Sequence, residues 1–299
     1  MVDSSPDLAA LLPSWELALR AERKAPATVK SYGDGVRGLL RFCEQTGRPA
    51  VLDRRTLAGY VDHLLAAGAK PATARSRQLG VRRFSAWLAE EGEQESDPLL
   101  GVKAPKLDQA VVEPLTDDQI RAILKACAGK DMRDKRDEAI VRFMVETGAR
   151  AGEVAALDLA DVDLGAGTAV IRRGKGGKGR LVPFGPQTAR AIDRYIRVRR
   201  THRLAGTAAL WLGDRGKPFT YDGLHATLRM RAAMAGVDGF HPHLLRHTAA
   251  HRWLAAGGSE TGLMAVAGWQ RPDMLMRYTK AQASARAAEE ARRLNLGEL

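Results

Sequence analysis

The sequence predicts a mainly α-helical chain with a small β-sheet, divided into an N-terminal helical domain and a larger α+β domain. Three observations predict this. Apolar residues recur at helical spacing from Leu8 to about Glu91 without a strand signal. A stretch holding Pro98, Gly101 and Pro105, with no amphipathic period, follows them. Beyond it, two short apolar runs flank a glycine-rich turn, which reads as a β-hairpin. With 299 residues, each of two domains can bury its own core.

The elements follow in order. Leu8, Leu11, Leu12, Trp15 and Leu19 mark a first helix, and Val36, Leu39, Leu40 and Cys43 a second, ended by Gly47 and Pro49. Leu57, Val61, Leu64 and Leu65 mark a third, stopped at Gly68. Leu79, Val81, Phe84, Trp87 and Leu88 mark a fourth, entered through Pro71-Ala72-Thr73 and ended near Gly92. The first domain is placed at residues 1–98, a linker at 99–113 and the second domain at 114–299. Thr116-Asp117-Asp118-Gln119 forms a capping box ahead of Ile120, Ile123 and Leu124. A helix then spans Asp137 to Glu146, Thr147-Gly148 ends it, and another begins at Glu153. Residues 168–172 and 181–184 form the hairpin strands, and the remainder is helical, broken at Gly206, Gly216, Gly236 and Gly257-Gly258. Ala281 to Leu294 reads as an alanine-rich helical tail.

The formal net charge of +12 favours a polyanionic partner. Residues 1–103 carry a net of only +2 and residues 104–299 a net of +10, so the second region should attract phosphates more strongly. Lys70, Arg75, Arg77, Arg82 and Arg83 nevertheless lie in one run without an acidic residue. Such runs are commonly solvated helix faces; five cations lacking a partner carboxylate favour a DNA-facing helix. No apolar run approaches the roughly 20 residues of a spanning helix, and the first residues lack a signal-peptide layout. Cys43 and Cys127 have neither disulfide nor zinc spacing and read as buried thiols of a cytoplasmic protein.

Several side chains of the second region suit one chemistry. A phosphodiester under attack gathers negative charge on its non-bridging oxygens, which planar, permanently charged guanidiniums can hold two at a time. Arg150, at the end of a helix, and Arg246 are the candidates, with Glu153 placed to steady Arg150. On spacing alone, a surface arginine is the favoured reading of Arg150. His243 and Arg246 are three apart and share a helix face. His243 can carry a proton near neutral pH; His247 reads as structural. His241, His243 and His247 could instead hold a metal, but no thiol or carboxylate lies among them and the chemistry needs none. No cofactor is expected. Tyr32, Tyr60, Tyr195 and Tyr221 read as packing residues.

The pattern T-G-x-R-x-x-E-hydrophobic at Thr147–Val154, the His243-Leu244-Leu245-Arg246-His247 box, Trp269 and Tyr278 nine residues later together resemble the tyrosine recombinase (phage integrase) family, across the C-terminal two-thirds of the chain. The likeness is to short Xer-like recombinases and simple integrases, with a helical (SAM-like) core-binding domain ahead of the α+β catalytic domain. No further arm-binding domain is expected ahead of Leu8. The resemblance implies that Tyr278 is the nucleophile and Arg150, Lys175, His243, Arg246 and Trp269 the pocket, supported by Glu153 and His247. Lys175, in the glycine-rich turn, would protonate the leaving 5′ oxygen, with Lys178 the reserve candidate. Lys178 and Arg180 would touch the DNA backbone. Tryptophan stands at 269 where the family more often has histidine; an indole N–H donates one hydrogen bond but cannot shuttle a proton.

The implied partners are double-stranded DNA with paired half-sites and a homo-tetramer assembled on it, with a directionality factor as a further possibility. The implied task is integration or excision of a mobile element. Resolution of chromosome or plasmid dimers, relaxation of DNA by a type IB topoisomerase-like enzyme, and silent DNA binding are the alternatives.

Overall fold

The computed structural model describes residues 6–107, 112–172 and 179–269, with the single positions 271, 275 and 292. The chain forms two compact units, Met1–Ala110 and Val111–Leu299.

Four helices build the first unit: α1 (Leu8–Ala21), α2 (Pro26–Thr46), α3 (Arg54–Ala66) and α4 (Pro71–Glu90). Asp7 and Asp53 cap α1 and α3 through their carboxylates, while α2 and α4 start on proline, whose missing N–H costs nothing in a first turn. Trp15 lies between Tyr32 and Phe84, with ring centroids 6.1 and 5.1 Å away. Helices α2 and α4 pack backbone against backbone. A Cβ on Gly35 would come within 2.5 Å of the Arg77 carbonyl, and one on Gly80 within 2.5 Å of the Tyr32 carbonyl. These reciprocal glycines let two backbones touch. Residues 99–102, read from the sequence as linker, begin with a Leu99 that is fully buried in this unit's core. Arg54 donates to the carbonyls of Pro98 and Leu100 and secures the same stretch.

The second unit runs α5 (Asp117–Ala126), α6 (Met132–Thr147), α7 (Ala151–Ala155), β1 (Val162–Asp163), β2 (Thr168–Ile171), β3 (Arg180–Pro183), α8 (Pro186–Arg199), α9 (Tyr221–Met234), α10 (His243–Ala255) and α11 (Glu260–Ala267). The capping box at Thr116 and Gln119 is present as read. Helix α6 is the axis of the unit: Ala139, Ile140, Val141, Phe143 and Met144 are all at most 1% exposed, and α8 and α10 pack against it. The sheet is antiparallel in the order β1-β2-β3, with Ile171 opposite Arg180. Ala169, Ile171 and Val182 face the core, while Val170 and Leu181 face out, as a period of two requires.

Arginines cross-link this unit. Arg136 and Arg231 grip the two oxygens of the buried Asp137, which ties α6 to α9. Arg199, 3% exposed, donates to the carbonyls of Ala205, Thr207, Ala209 and Leu210 and shapes the loop after α8. Both cysteines are buried and free. Among the described residues no helix is long and apolar enough to cross a membrane.

Replacing Arg199 by Met strands buried carbonyls that have lost their donor, at a cost of about 3 kcal/mol. The urea midpoint of the second unit should fall accordingly; an unchanged midpoint would show that the loop finds other donors.

Candidate active site

Helix α6 ends at Gly148, whose φ of +62° suits a residue without a side chain and turns the chain sharply. That turn leaves Arg150 as the residue preceding α7, half-buried at the rim of an open pocket of about 460 Å³. Helix α10 contributes His243, its first residue, and Arg246, one turn on. Arg150, Glu153, His243 and Arg246 thus line one pocket, brought together from α7 and α10.

Glu153 stands behind Arg150. Its Oε1 accepts from Nη1 of Arg150 at 2.9 Å and from Nη1 of Arg180 at 3.0 Å. Its Oε2 accepts from the Arg150 amide at 2.8 Å and from Nη2 of Arg180 at 2.6 Å. Burial, the largest single influence, opposes ionisation of this carboxyl. The hydrogen bonds and charge of Arg180, with the backbone and side-chain hydrogen bonds of Arg150, outweigh it and hold the carboxyl below its ordinary value of 4.5.

Arg246 is only 2% exposed. Its Nη1 donates to the Gly148 carbonyl at 2.6 Å and its Nη2 to the Ala267 carbonyl at 2.7 Å. It therefore caps the C-terminal ends of α6 and α11 together, where carbonyls carry the negative end of the helix dipole. Its guanidinium carbon lies 5.2 Å from the ring centroid of Trp269, within cation–π range. Trp269 is buried with Leu254, Leu263 and Leu275.

The histidines gather at the same mouth. The His243 ring meets His247 edge-on at 4.8 Å and lies 6.4 Å from His241. Burial, and to a lesser degree the nearby His225, pushes the His241 imidazole below its ordinary value. Among the described residues no group of three or more His, Cys, Asp or Glu is placed to hold a metal ion.

Other expectations shift. Arg180 was read as a contact to the DNA backbone, but its side chain is 10% exposed and turned inward, onto Glu153 and the Val266 carbonyl. Tyr221 was read as packing; it is 51% exposed and lines the pocket, with its ring 6.0 Å from His225. In the first unit Lys70, Arg75 and Arg83 are exposed and Arg82 half-buried, whereas Arg77 is paired at 3.2 Å with Asp34 of α2, a carboxylate that the local run of sequence does not contain. Tyr60 and Tyr195 are buried as packing residues. Lys175, Lys178, Tyr278 and the tail beyond 281, apart from Arg292, lie outside the described residues.

The Glu153 arrangement has a pH signature. Its folded pKa is depressed, so the stabilisation is complete above the ordinary value of 4.5 and fades as pH falls through the folded value. The stability difference between wild type and Glu153→Gln should therefore be flat near neutrality and shrink on acidification below that value. A difference that grew in acid, measured by urea unfolding across pH 3–7, would contradict the assignment.

Residues 113–285 match the phage integrase family. The chain is 29% identical over 276 residues to tyrosine recombinase XerC of Pelotomaculum thermopropionicum, covering 87% of this chain and 90% of that one. It is 35% identical over 187 residues to tyrosine recombinase XerD of Mycobacterium tuberculosis, covering 60% of each. Among solved structures, the Tn1549 transposon integrase in complex with a circular intermediate DNA matches with a TM-score of 0.74 at 16% identity, over 96% of this chain and 99% of that one. The XerH recombinase bound to a palindromic difH substrate matches with a TM-score of 0.72 at 17% identity, over 96% and 84%. These two structures speak for the fold. The sequence match extends over more than half the chain, on the stretch that carries the two arginines and the histidines of the pocket, and the chain belongs to the phage integrase family of tyrosine-type site-specific DNA recombinases.

Proposed function

We propose that the chain cuts and rejoins double-stranded DNA through a 3′-phosphotyrosyl intermediate formed by Tyr278, within a homo-tetramer assembled on paired half-sites. The observation that carries this reading is the meeting of Arg150, His243 and Arg246 at one pocket, with Glu153 behind the first arginine. A phenol has a pKa of about 10 and attacks poorly unless its surroundings favour the anion, and two guanidiniums supply that field. In the reaction the Tyr278 oxygen bonds to phosphorus as the bond to the 5′ oxygen breaks. The phenolic proton passes to His243, and Lys175 delivers one to the leaving 5′ oxygen. Arg150 and Arg246 hold the non-bridging oxygens as charge builds on them, and the Trp269 indole N–H is a further donor to them. The partner duplex's 5′-hydroxyl then reverses the step, so the phosphodiester energy is retained without ATP. Lys175 and Tyr278 take their roles from the family motif. Assembly on DNA is supported by related folds, among them a lambda integrase tetramer bound to a Holliday junction, with a TM-score of 0.70.

The biological task we assign is integration or excision of a mobile element, favoured by tryptophan at 269. Resolution of chromosome or plasmid dimers is the second reading, favoured by the identity to XerC and XerD relatives. Outward-directed amplification in the source strain separates them. An excised circular junction that vanishes on deletion of the gene supports the first, and accumulation of chromosome or plasmid dimers supports the second.

Two outcomes test the chemistry. Tyr278→Phe should bind DNA yet form no covalent adduct with a nicked suicide substrate; an adduct in that variant moves the nucleophile elsewhere. Arg150→Ala and Arg246→Ala should each slow cleavage by about 10²–10³-fold at saturating protein, with only modest change in affinity. Cleavage near the wild-type rate excludes that arginine from the chemistry.

A further inference from the structure

Arg180 opens β3, immediately after the glycine-rich turn, and all three of its guanidinium nitrogens are engaged. Nη1 and Nη2 bind the two oxygens of Glu153, at 3.0 and 2.6 Å, while Nε donates to the Val266 carbonyl at 2.7 Å. Val266 stands in the last turn of α11, and the next carbonyl, that of Ala267, is taken by Arg246. The helix then ends on Gly268, whose φ is +64° and where an added Cβ would lie 3.1 Å from the Arg180 side chain. Only a residue without a Cβ admits both the left-handed turn and the guanidinium beside it.

We infer that Arg180 is a positioning residue for DNA cleavage: through Glu153 it sets Arg150, and through Val266 it sets the end of α11 that leads into Trp269. The inference rests on the reaction proposed above and adds to it a group that never meets the phosphate. Each oxygen of Glu153 receives one donor from Arg150 and one from Arg180. Without Arg180, a carboxylate that is 8% exposed keeps Arg150 as its remaining partner among these donors and draws that guanidinium back from the pocket. The end of α11 loses one of its two arginine caps in the same step. A lysine has a single nitrogen and cannot bridge a carboxylate and a distant carbonyl in one plane.

The test uses the full chain with Arg180→Met, Arg180→Lys, Glu153→Gln and the Arg180→Met/Glu153→Gln pair. Single-turnover cleavage of a nicked suicide substrate, DNA affinity as a function of salt, and thermal melting are measured for each. At saturating protein, Arg180→Met should cleave roughly 10- to 100-fold more slowly, the scale of a displaced reacting group. The salt dependence of affinity should stay at the wild-type slope, and Arg180→Lys should recover part of the rate. The double variant should lose far less than the product of the single losses, since both changes act on one contact. A slope reduced by about 0.9, with normal cleavage at saturation, would make Arg180 a phosphate contact and overturn the inference. So would a rate that returns to normal when the assay is run well below a lowered melting point, because that marks support of the fold alone. If Arg180→Met does not fold, Arg180→Lys carries the same readouts. Failure of the underlying reaction shows separately, as an adduct that persists in Tyr278→Phe.

Discussion

A carboxylate taken out of water must be met by donors on every side, and at Glu153 this requirement organises the surroundings of the site. Two donors reach each oxygen, and they come from α7 and β3. The negative charge between Arg150 and Arg180 also removes the repulsion that two cations would otherwise exert on each other. Because the carboxylate is buried, its field is poorly screened by salt. The arginine at the pocket rim is therefore aimed by a rigid partner rather than by its own flexible stem, and the aim is shared with the helix that ends next to Trp269.

The same use of guanidinium groups recurs through the second unit. Arg136, Arg199, Arg231 and Arg246 are each at most 5% exposed, and each satisfies carbonyls or carboxylates that the fold would otherwise strand. With aromatic residues at 5% of the chain, planar charged groups bind distant segments together here. The formal charge of +12 thus overstates the positive surface on offer. Among its arginines, Arg199 and Arg246 are interior fasteners that spend their charge on backbone carbonyls.

Much of this was legible in the sequence where the information is local. Apolar periodicity located the helices, Thr116 and Gln119 announced the start of α5, and the motif positions of Arg150, His243 and Arg246 foretold residues that line one pocket. The starts of α2 and α6 were read late, because their first turns are proline-led or polar and carry little apolar signal, whereas Pro71 marked the start of α4. The two-residue β1 is too short to show alternation. The inward turn of Arg180 and the exposure of Tyr221 were illegible for another reason. Each depends on contacts made in the folded chain, such as that between Arg180 and Glu153, 27 positions apart, and no local pattern encodes them.

The capping of two helix ends by Arg246 has a consequence for the order of synthesis. Gly148 and Arg246 are 98 residues apart, and Arg180 and Val266 are 86 apart. While the ribosome is still adding residues before α10, the carbonyl at the end of α6 has no arginine to receive. The pocket closes late, after α11 has emerged, and contacts of such long sequence separation form slowly. A growing or truncated chain holds the first arginine and its glutamate but not the arrangement around them. Until α10 and α11 are in place, the chain lacks the second arginine of the pocket and the two helix-end carbonyls that hold it.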